Sequence, residues 1–126
     1  MTFNELLVHA KGVLNPREIN DNAWAGSVAT ALLSGSGKVY TGVCIDVACG
    51  MGFCAEHAAV AAMITAGESK IVKLVAISKD GILPPCGRCR EFMSQINKDN
   101  INAEIMICTD KVVKLDELLP FRWDSK

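Results

Sequence analysis

The sequence predicts an α/β fold, a mixed five-stranded sheet with helices on both faces. Two observations carry this. Segments of helical and strand character alternate along the chain in the order α-ββ-α-β-α-β-β-α, which a mixed sheet between helices accommodates. The stretch Cys54 to Ala66 is alanine-rich and apolar almost all round, as a central helix should be. No repeat, linker or low-complexity stretch interrupts the 126 residues, so residues 1–126 read as one domain.

The elements follow in order. Phe3, Leu6, Leu7, Ala10, Val13 and Leu14 recur at helical spacing, which predicts a helix over residues 2–14. Asn15-Pro16 closes it, because the residue before proline avoids helical geometry. Ser27–Leu33 and Val39–Asp46, joined by Ser34-Gly35-Ser36-Gly37, form a hairpin. Ala48 to Phe53 is a loop, Cys54 to Ala66 the central helix, and Gly67 its stop. Ile71–Ser78 is a buried strand, followed by the turn Lys79-Asp80-Gly81. Pro84-Pro85 opens a helix running to about Asn97. Ile101–Cys108 and Lys111–Lys114 are strands, and a last helical turn, Leu115 to Leu119, stops at Pro120.

Composition narrows the function. Half the residues are hydrophobic and 21% are charged, which excludes disorder. The net charge is −1 and the pI near 6.1, so no basic excess favours nucleic acid as a partner. No apolar run reaches the ~18 residues of a membrane span. Glu5, His9 and Lys11 interrupt the N-terminal apolar residues, so Met1 to Leu14 is not a signal peptide. A cytoplasmic location with reduced thiols is expected, and six cysteines then ask to be read as metal ligands or redox groups.

Two segments carry the chemistry: Cys54-Ala55-Glu56-His57 and Pro84-Pro85-Cys86-Gly87-Arg88-Cys89-Arg90, each where a helix begins. Cys86 and Cys89 are three apart, so on a first helical turn both sulfurs face one side, with Gly87 leaving room between them. Helix N-termini lower thiol pKa, and the same placement holds for Cys54. Three thiolates from two helix ends could converge on one zinc ion. Three ligands and an open position for water is the pattern of a catalytic zinc. Three thiolates overcompensate the charge of the metal, so His57 and Arg88 or Arg90 are candidate balancing cations. Glu56, two residues after Cys54, is too close to be a second ligand and is placed to move protons.

Cys-Ala-Glu followed about 30 residues later by Pro-Cys-Gly-x-Cys resembles the zinc-dependent cytidine deaminases. Ser27 to Leu32 looks like that family's first strand, and Thr41-Gly42-Val43 like its second. Gly81-Ile82-Leu83-x-Pro85-Cys86-Gly87-Arg88-Cys89-Arg90, and Glu117-Leu118-Leu119-Pro120 with Trp123 beyond, look most like the blasticidin-S deaminases. The resemblance implies a three-layer sandwich, one zinc per chain on Cys54, Cys86 and Cys89, and Glu56 as the proton shuttle. The implied reaction is removal of the 4-amino group from a cytosine nucleoside or analogue (cytidine, deoxycytidine or blasticidin S). It further implies that the Ala55 amide and the Pro84 carbonyl hold the base, and that the chain is a homotetramer. Substrate contacts would come from Ser27, Cys44, Asp46 and Trp123. Cytidine deaminases hold the ribose with an Asn-x-Glu pair on the second strand; the aligned residues here are Cys44 and Asp46. The family's Arg after Cys-Ala-Glu is His57.

Blander readings stand beside these. Cys44, Cys49 and Cys108 read as core or pocket lining, and His9 as an ordinary helix residue. Trp123 is a pocket lid or an interface anchor, and Asp46 a sugar acceptor or a solvated strand end. The competing functions are a C-x-x-C redox protein, a structural-zinc module using Cys49 or His57 as fourth ligand, and a nucleic-acid deaminase.

Overall fold

A computed structural model describes residues 1–124; Ser125 and Lys126, the end of the expected domain, lie outside the described residues. Helix α1 (Phe3–Val13) starts where Thr2 caps it, its hydroxyl accepting the Glu5 N–H at 3.2 Å. Strands β1 (Arg17–Asn20), β2 (Ala23–Ser34) and β3 (Val39–Val47) follow, then α2 (Ala55–Thr65). Strands β4 (Ile71–Ser78) and β5 (Gly81–Leu83) lead to α3 (Gly87–Ile96), and β6 (Glu104–Cys108) and β7 (Lys111–Lys114) complete the sheet.

The sheet runs β1-β2-β4-β6-β7, with β3 on the other edge of β2 and β5 on β4. Among the described residues only β4 and β6 pair in parallel, so the sheet is mixed as expected. Alternation along β2 and β4 sends side chains to two cores. Ala29, Ala31, Val75 and Ile77 pack with Leu6 and Ala10 of α1 on one face. Leu32 and Leu74 pack with Val60, Met63 and Met93 of α2 and α3 on the other. Helices on both faces give three layers.

The alanine-rich α2 lies very close to β3. A Cβ on Gly42 would stand 2.4 Å from the Ala59 nitrogen and 2.6 Å from the Ala58 methyl, so both partners must be small there. Only one face of α2 is buried; Ala61, Ala62 and Ile64 are exposed, against the expectation of a fully central helix.

The described residues form seven strands rather than five. β1 is exposed along its length and β5 has three residues, so neither carries a burial pattern legible in sequence. The expected strand from Ile101 begins instead at Glu104, after a 3-10 turn over Lys98–Asn102. That turn buries Asn100 completely. Its carboxamide accepts the Ile71 N–H at 2.8 Å and donates to the carbonyls of Ser69 and Met93, each at 3.0 Å. Pro84-Pro85 precede α3 rather than opening it, because β5 runs to Leu83 and Cys86 takes the cap position.

Candidate active site

Two helix starts meet at one point. Cys54 is the N-cap of α2 and Cys86 the N-cap of α3, while Cys89 sits in the first turn of α3. The Cys54 and Cys86 sulfurs lie 3.6 Å apart, those of Cys86 and Cys89 3.4 Å, and all three fall within 4.8 Å of one another. Zinc–sulfur bonds of about 2.3 Å in a tetrahedron place the sulfurs about 3.8 Å apart, so this donor set fits the ion with small adjustments.

Electrostatics favour a cation here. Burial, with the Cys86 hydrogen bond, pushes the Cys54 thiol up. Cys89, shut off from solvent, is pushed up by burial and by the Glu56 carboxylate. For Cys86 burial also raises the pKa but is outweighed by the backbone N–H and thiol of Cys89 and the thiol of Cys54. The Cys89 N–H acts there at longer range than a cap hydrogen bond. Metal coordination is what deprotonates such thiols outright.

Cys54 and Cys86 line a cavity of about 370 Å³. Ala55, Glu56, Leu83 and Pro84 line it beside them. Ser27, Cys44, Asp46, Phe53 and Arg88 line the rest. The structure thus gathers the expected site residues, with Cys89 directly behind, except Trp123. That indole is 72% exposed and donates to Glu91 at 2.9 Å, outside the cavity lining. Glu56 is buried, and its Oε1 accepts the Thr30 hydroxyl at 3.4 Å. Burial raises its pKa; its own backbone N–H and Thr30 pull the other way. A carboxyl poised above its ordinary value suits a proton carrier.

A β-bulge sets the position of Cys44. Ala25 pairs with Ile45 and Ala29 with Val43, so Gly26, Ser27 and Val28 all stand opposite Cys44. Gly26 makes this possible: its φ is +82°, and a Cβ there would collide with the Asn15 carbonyl. The Cys44 sulfur meets the Ser27 hydroxyl at 3.2 Å and accepts the Val28 N–H at 3.3 Å. Asp46 is exposed at the rim, 3.9 Å from that sulfur.

Several expectations need correcting. Cys49 and Cys108 are exposed, neither core nor pocket; Cys49 sits on a left-handed turn and Cys108 beside Asp110. Arg90 does not face the sulfurs: its Nε donates to the Pro85 carbonyl at 2.7 Å and its guanidinium reaches the Leu118 carbonyl. Gly87 is not needed for space, since a Cβ there would meet nothing. His57 packs flat on Phe92, with Nδ1 at 3.3 Å from the Cys89 sulfur. Burial, then the Arg88 charge, lower its pKa. Among the described residues neither Cys49 nor His57 joins the three-sulfur group as a fourth ligand. Thr30, Gly52 and Phe53 were missed in the sequence; they touch Glu56 or the cavity but carry no motif.

No family model matches the sequence. A cytidine deaminase from Mycobacterium tuberculosis is 36% identical over 69 residues, 53% of this chain and 52% of that protein. A probable cytidine deaminase from Dictyostelium discoideum is 35% identical over 68 residues, 52% of this chain and 46% of that one. The chain spans about half the length of the curated relatives it matches. The crystal structure of cytidine deaminase from Mycobacterium tuberculosis superposes with a TM-score of 0.82 at 26% identity, covering 99% of both chains. That from Mycobacterium leprae gives 0.80 at 25% identity, covering 95% of this chain and 98% of the other. In fold over nearly its whole length, and in sequence over about half, this chain is similar to the cytidine deaminases.

Proposed function

We propose that this chain is a zinc-dependent hydrolytic deaminase. It removes the 4-amino group of a cytosine nucleoside or analogue (cytidine, deoxycytidine or blasticidin S), giving the uracil product and ammonia. The observation that carries this is the set of three sulfurs from Cys54, Cys86 and Cys89, of which Cys54 and Cys86 line a cavity that also receives buried Glu56.

Zinc on these three cysteines would supply a Lewis acid that lowers the pKa of water at neutral pH. Glu56 takes one proton from the attacking water and delivers it to the ring nitrogen. It then takes the second proton from the new C4 hydroxyl, which becomes the carbonyl, and passes it to the amine as the C4–N bond breaks and ammonia leaves. The Ala55 N–H, at the positive start of α2, binds the base carbonyl. The Pro84 carbonyl accepts from the exocyclic amine. The burial of Ala55 and Glu56 keeps bulk water from competing for the proton. Ser27, Cys44 and Asp46 face the substituent on the base.

The same reading places the chain as one domain in the cytoplasm, acting on a small molecule, with neither nucleic acid nor membrane as partner. All six cysteines are free thiols, as a reducing compartment allows. Among the described residues no helix is long and apolar enough to cross a membrane. We also read it as a homotetramer. The exposed apolar face of α2, with Phe121 96% and Trp123 72% exposed, is surface that subunit contacts would cover. Trp123 would then anchor an interface or close a neighbour's cavity.

An ammonia-release screen over cytidine, deoxycytidine, cytosine, blasticidin S and 5-substituted or N4-substituted analogues, run with metal analysis, tests the proposal. We expect about one zinc per chain and turnover of at least one cytosine compound. Zinc-loaded protein that releases ammonia from none of them would overturn it.

A further inference from the structure

Three thiolates bring three negative charges to an ion that carries two, and Cys89 is the one of the three sealed from solvent, at 0% exposure. Its sulfur therefore depends on donors from the protein. Arg90 is committed to the carbonyls of Pro85 and Leu118, and Arg88 stands exposed at the cavity wall. The group that faces the sulfur is His57, with Nδ1 at 3.3 Å. Its ring is stacked on Phe92, centroids 4.3 Å apart and planes within 8°. Phe92 lies three residues after Cys89 on α3, so the two share a face of that helix. A ring lying flat on Phe92 consequently turns an edge toward the sulfur.

We propose that His57 is a positioning residue of the metal centre: its Nδ1–H donates a hydrogen bond to the Cys89 sulfur, and Phe92 fixes the ring plane that aims it. This deepens the zinc reading and rests on it. A metal-bound thiolate has no proton to give, so at this contact the proton sits on Nδ1. The bond draws charge off the sulfur, favours thiolate over thiol, and holds Cys89 in one rotamer. Outer partners of this kind are typically worth about 10–100-fold in metal affinity.

The test uses the full chain. Zinc affinity is read by competition with a chromophoric chelator, and the cobalt-substituted protein reports the sulfur-to-metal charge-transfer band. His57→Phe keeps an aromatic ring against Phe92 but has no N–H. His57→Asn puts an amide N–H where Nδ1 stands, and His57→Gln carries it one bond too far. We expect His57→Phe to weaken zinc binding about 10–100-fold. Its charge-transfer band should move to lower energy, because a thiolate without its hydrogen bond gives up an electron more easily. His57→Asn should restore both readouts and His57→Gln should restore less. An unchanged affinity and band in His57→Phe would overturn the inference. So would loss of affinity that Asn rescues no better than Gln, which would make His57 a packing residue. Should His57→Phe fail to fold, equal affinities in the Asn and Gln variants overturn it on their own. A wild-type chain that binds no metal would overturn the zinc reading and this inference together; one that binds metal normally while His57→Phe matches it overturns this inference alone.

Discussion

Replacing Glu56 by glutamine removes the proposed proton carrier and little else. Glutamine has the same length and shape, and its amide oxygen can still accept the Thr30 hydroxyl that lies 3.4 Å from Oε1. The three sulfurs are untouched, so zinc content should stay at about one per chain. Folding should not suffer either. Glu56 is 5% exposed and burial raises its pKa, so the carboxylate is an unfavourable guest in the fold above the ordinary glutamate range. The sign follows from proton counts: the native state holds the proton more tightly, so wild-type stability falls as pH rises from 4.5 through the raised native value, then levels off. Glutamine does not titrate, and the variant should be at least as stable as wild type at neutral pH, the difference vanishing below that window. Turnover should collapse. General acid–base steps contribute about 10²–10⁴-fold, and one carboxyl serves several steps here, so kcat should drop by at least about 10²-fold, or ~3 kcal/mol at ~1.4 kcal/mol per decade. Ammonia release, zinc content and thermal melts on the same preparations check this. A folded, zinc-loaded Glu56→Gln protein that kept more than about a tenth of the rate would refute the assigned role.

Other perturbations separate the remaining parts. Cys86→Ala should lose zinc and, because site assembly is coupled to folding, also lose stability; elemental analysis and melting curves read both. Cys44→Asn should raise activity on cytidine more than on any substrate without a ribose, and unchanged substrate ratios would mean that position 44 only completes the bulge. Asn100→Ala strands a buried N–H and two carbonyls, which should cost about 3 kcal/mol and about 10 °C in Tm. Glu68 is held at about 2 by hydrogen bonds from Tyr40 first, then from Ser34 and Ser36, so its stabilisation is present above pH 4.5 and lost as pH falls toward 2. Tyr40→Phe should shrink that acid-side loss in a pH series of denaturant melts.

What was legible in the sequence is what carries a strong local signal. Ile71–Ser78 and Lys111–Lys114 form strands with the expected bounds, since one is an apolar run interrupted only by Lys73 before Ser78 and the other is delimited by a turn and a helical start. Gly67 ends α2 in a Schellman arrangement, Glu68 N–H to Met63 carbonyl at 3.1 Å and Gly67 N–H to Ile64 carbonyl at 2.9 Å. What failed was structure imposed from a distance. Ile101 is apolar enough for a strand, yet its neighbour Asn100 is pulled inward to satisfy backbone groups of Ser69, Ile71 and Met93, and the chain must turn there. No pattern within residues 98–102 encodes those partners.

The site divides in the same way. Ligands at helix starts are readable, because Cys-Ala-Glu and Cys-Gly-Arg-Cys place their sulfurs by local geometry alone. The substrate wall is not readable, because it depends on a register. The bulge at Gly26 lets three residues of β2 stand opposite one residue of β3, and that one residue is Cys44. Its sulfur consequently accepts the Val28 N–H and meets the Ser27 hydroxyl. A comparison of positions along β3 sees only that an amide has become a thiol. In three dimensions the thiol is tied to Ser27 and Val28 of the opposite strand, so the polar side chains on this wall are the Ser27 hydroxyl, which shares that contact, and the exposed Asp46 carboxylate. On the proposed function, the bulge couples a backbone requirement to substrate selection. Changing Cys44 alters both the Val28 N–H and the cavity wall, whereas changing Asp46, which is bound only at 3.9 Å to that sulfur, alters the wall alone.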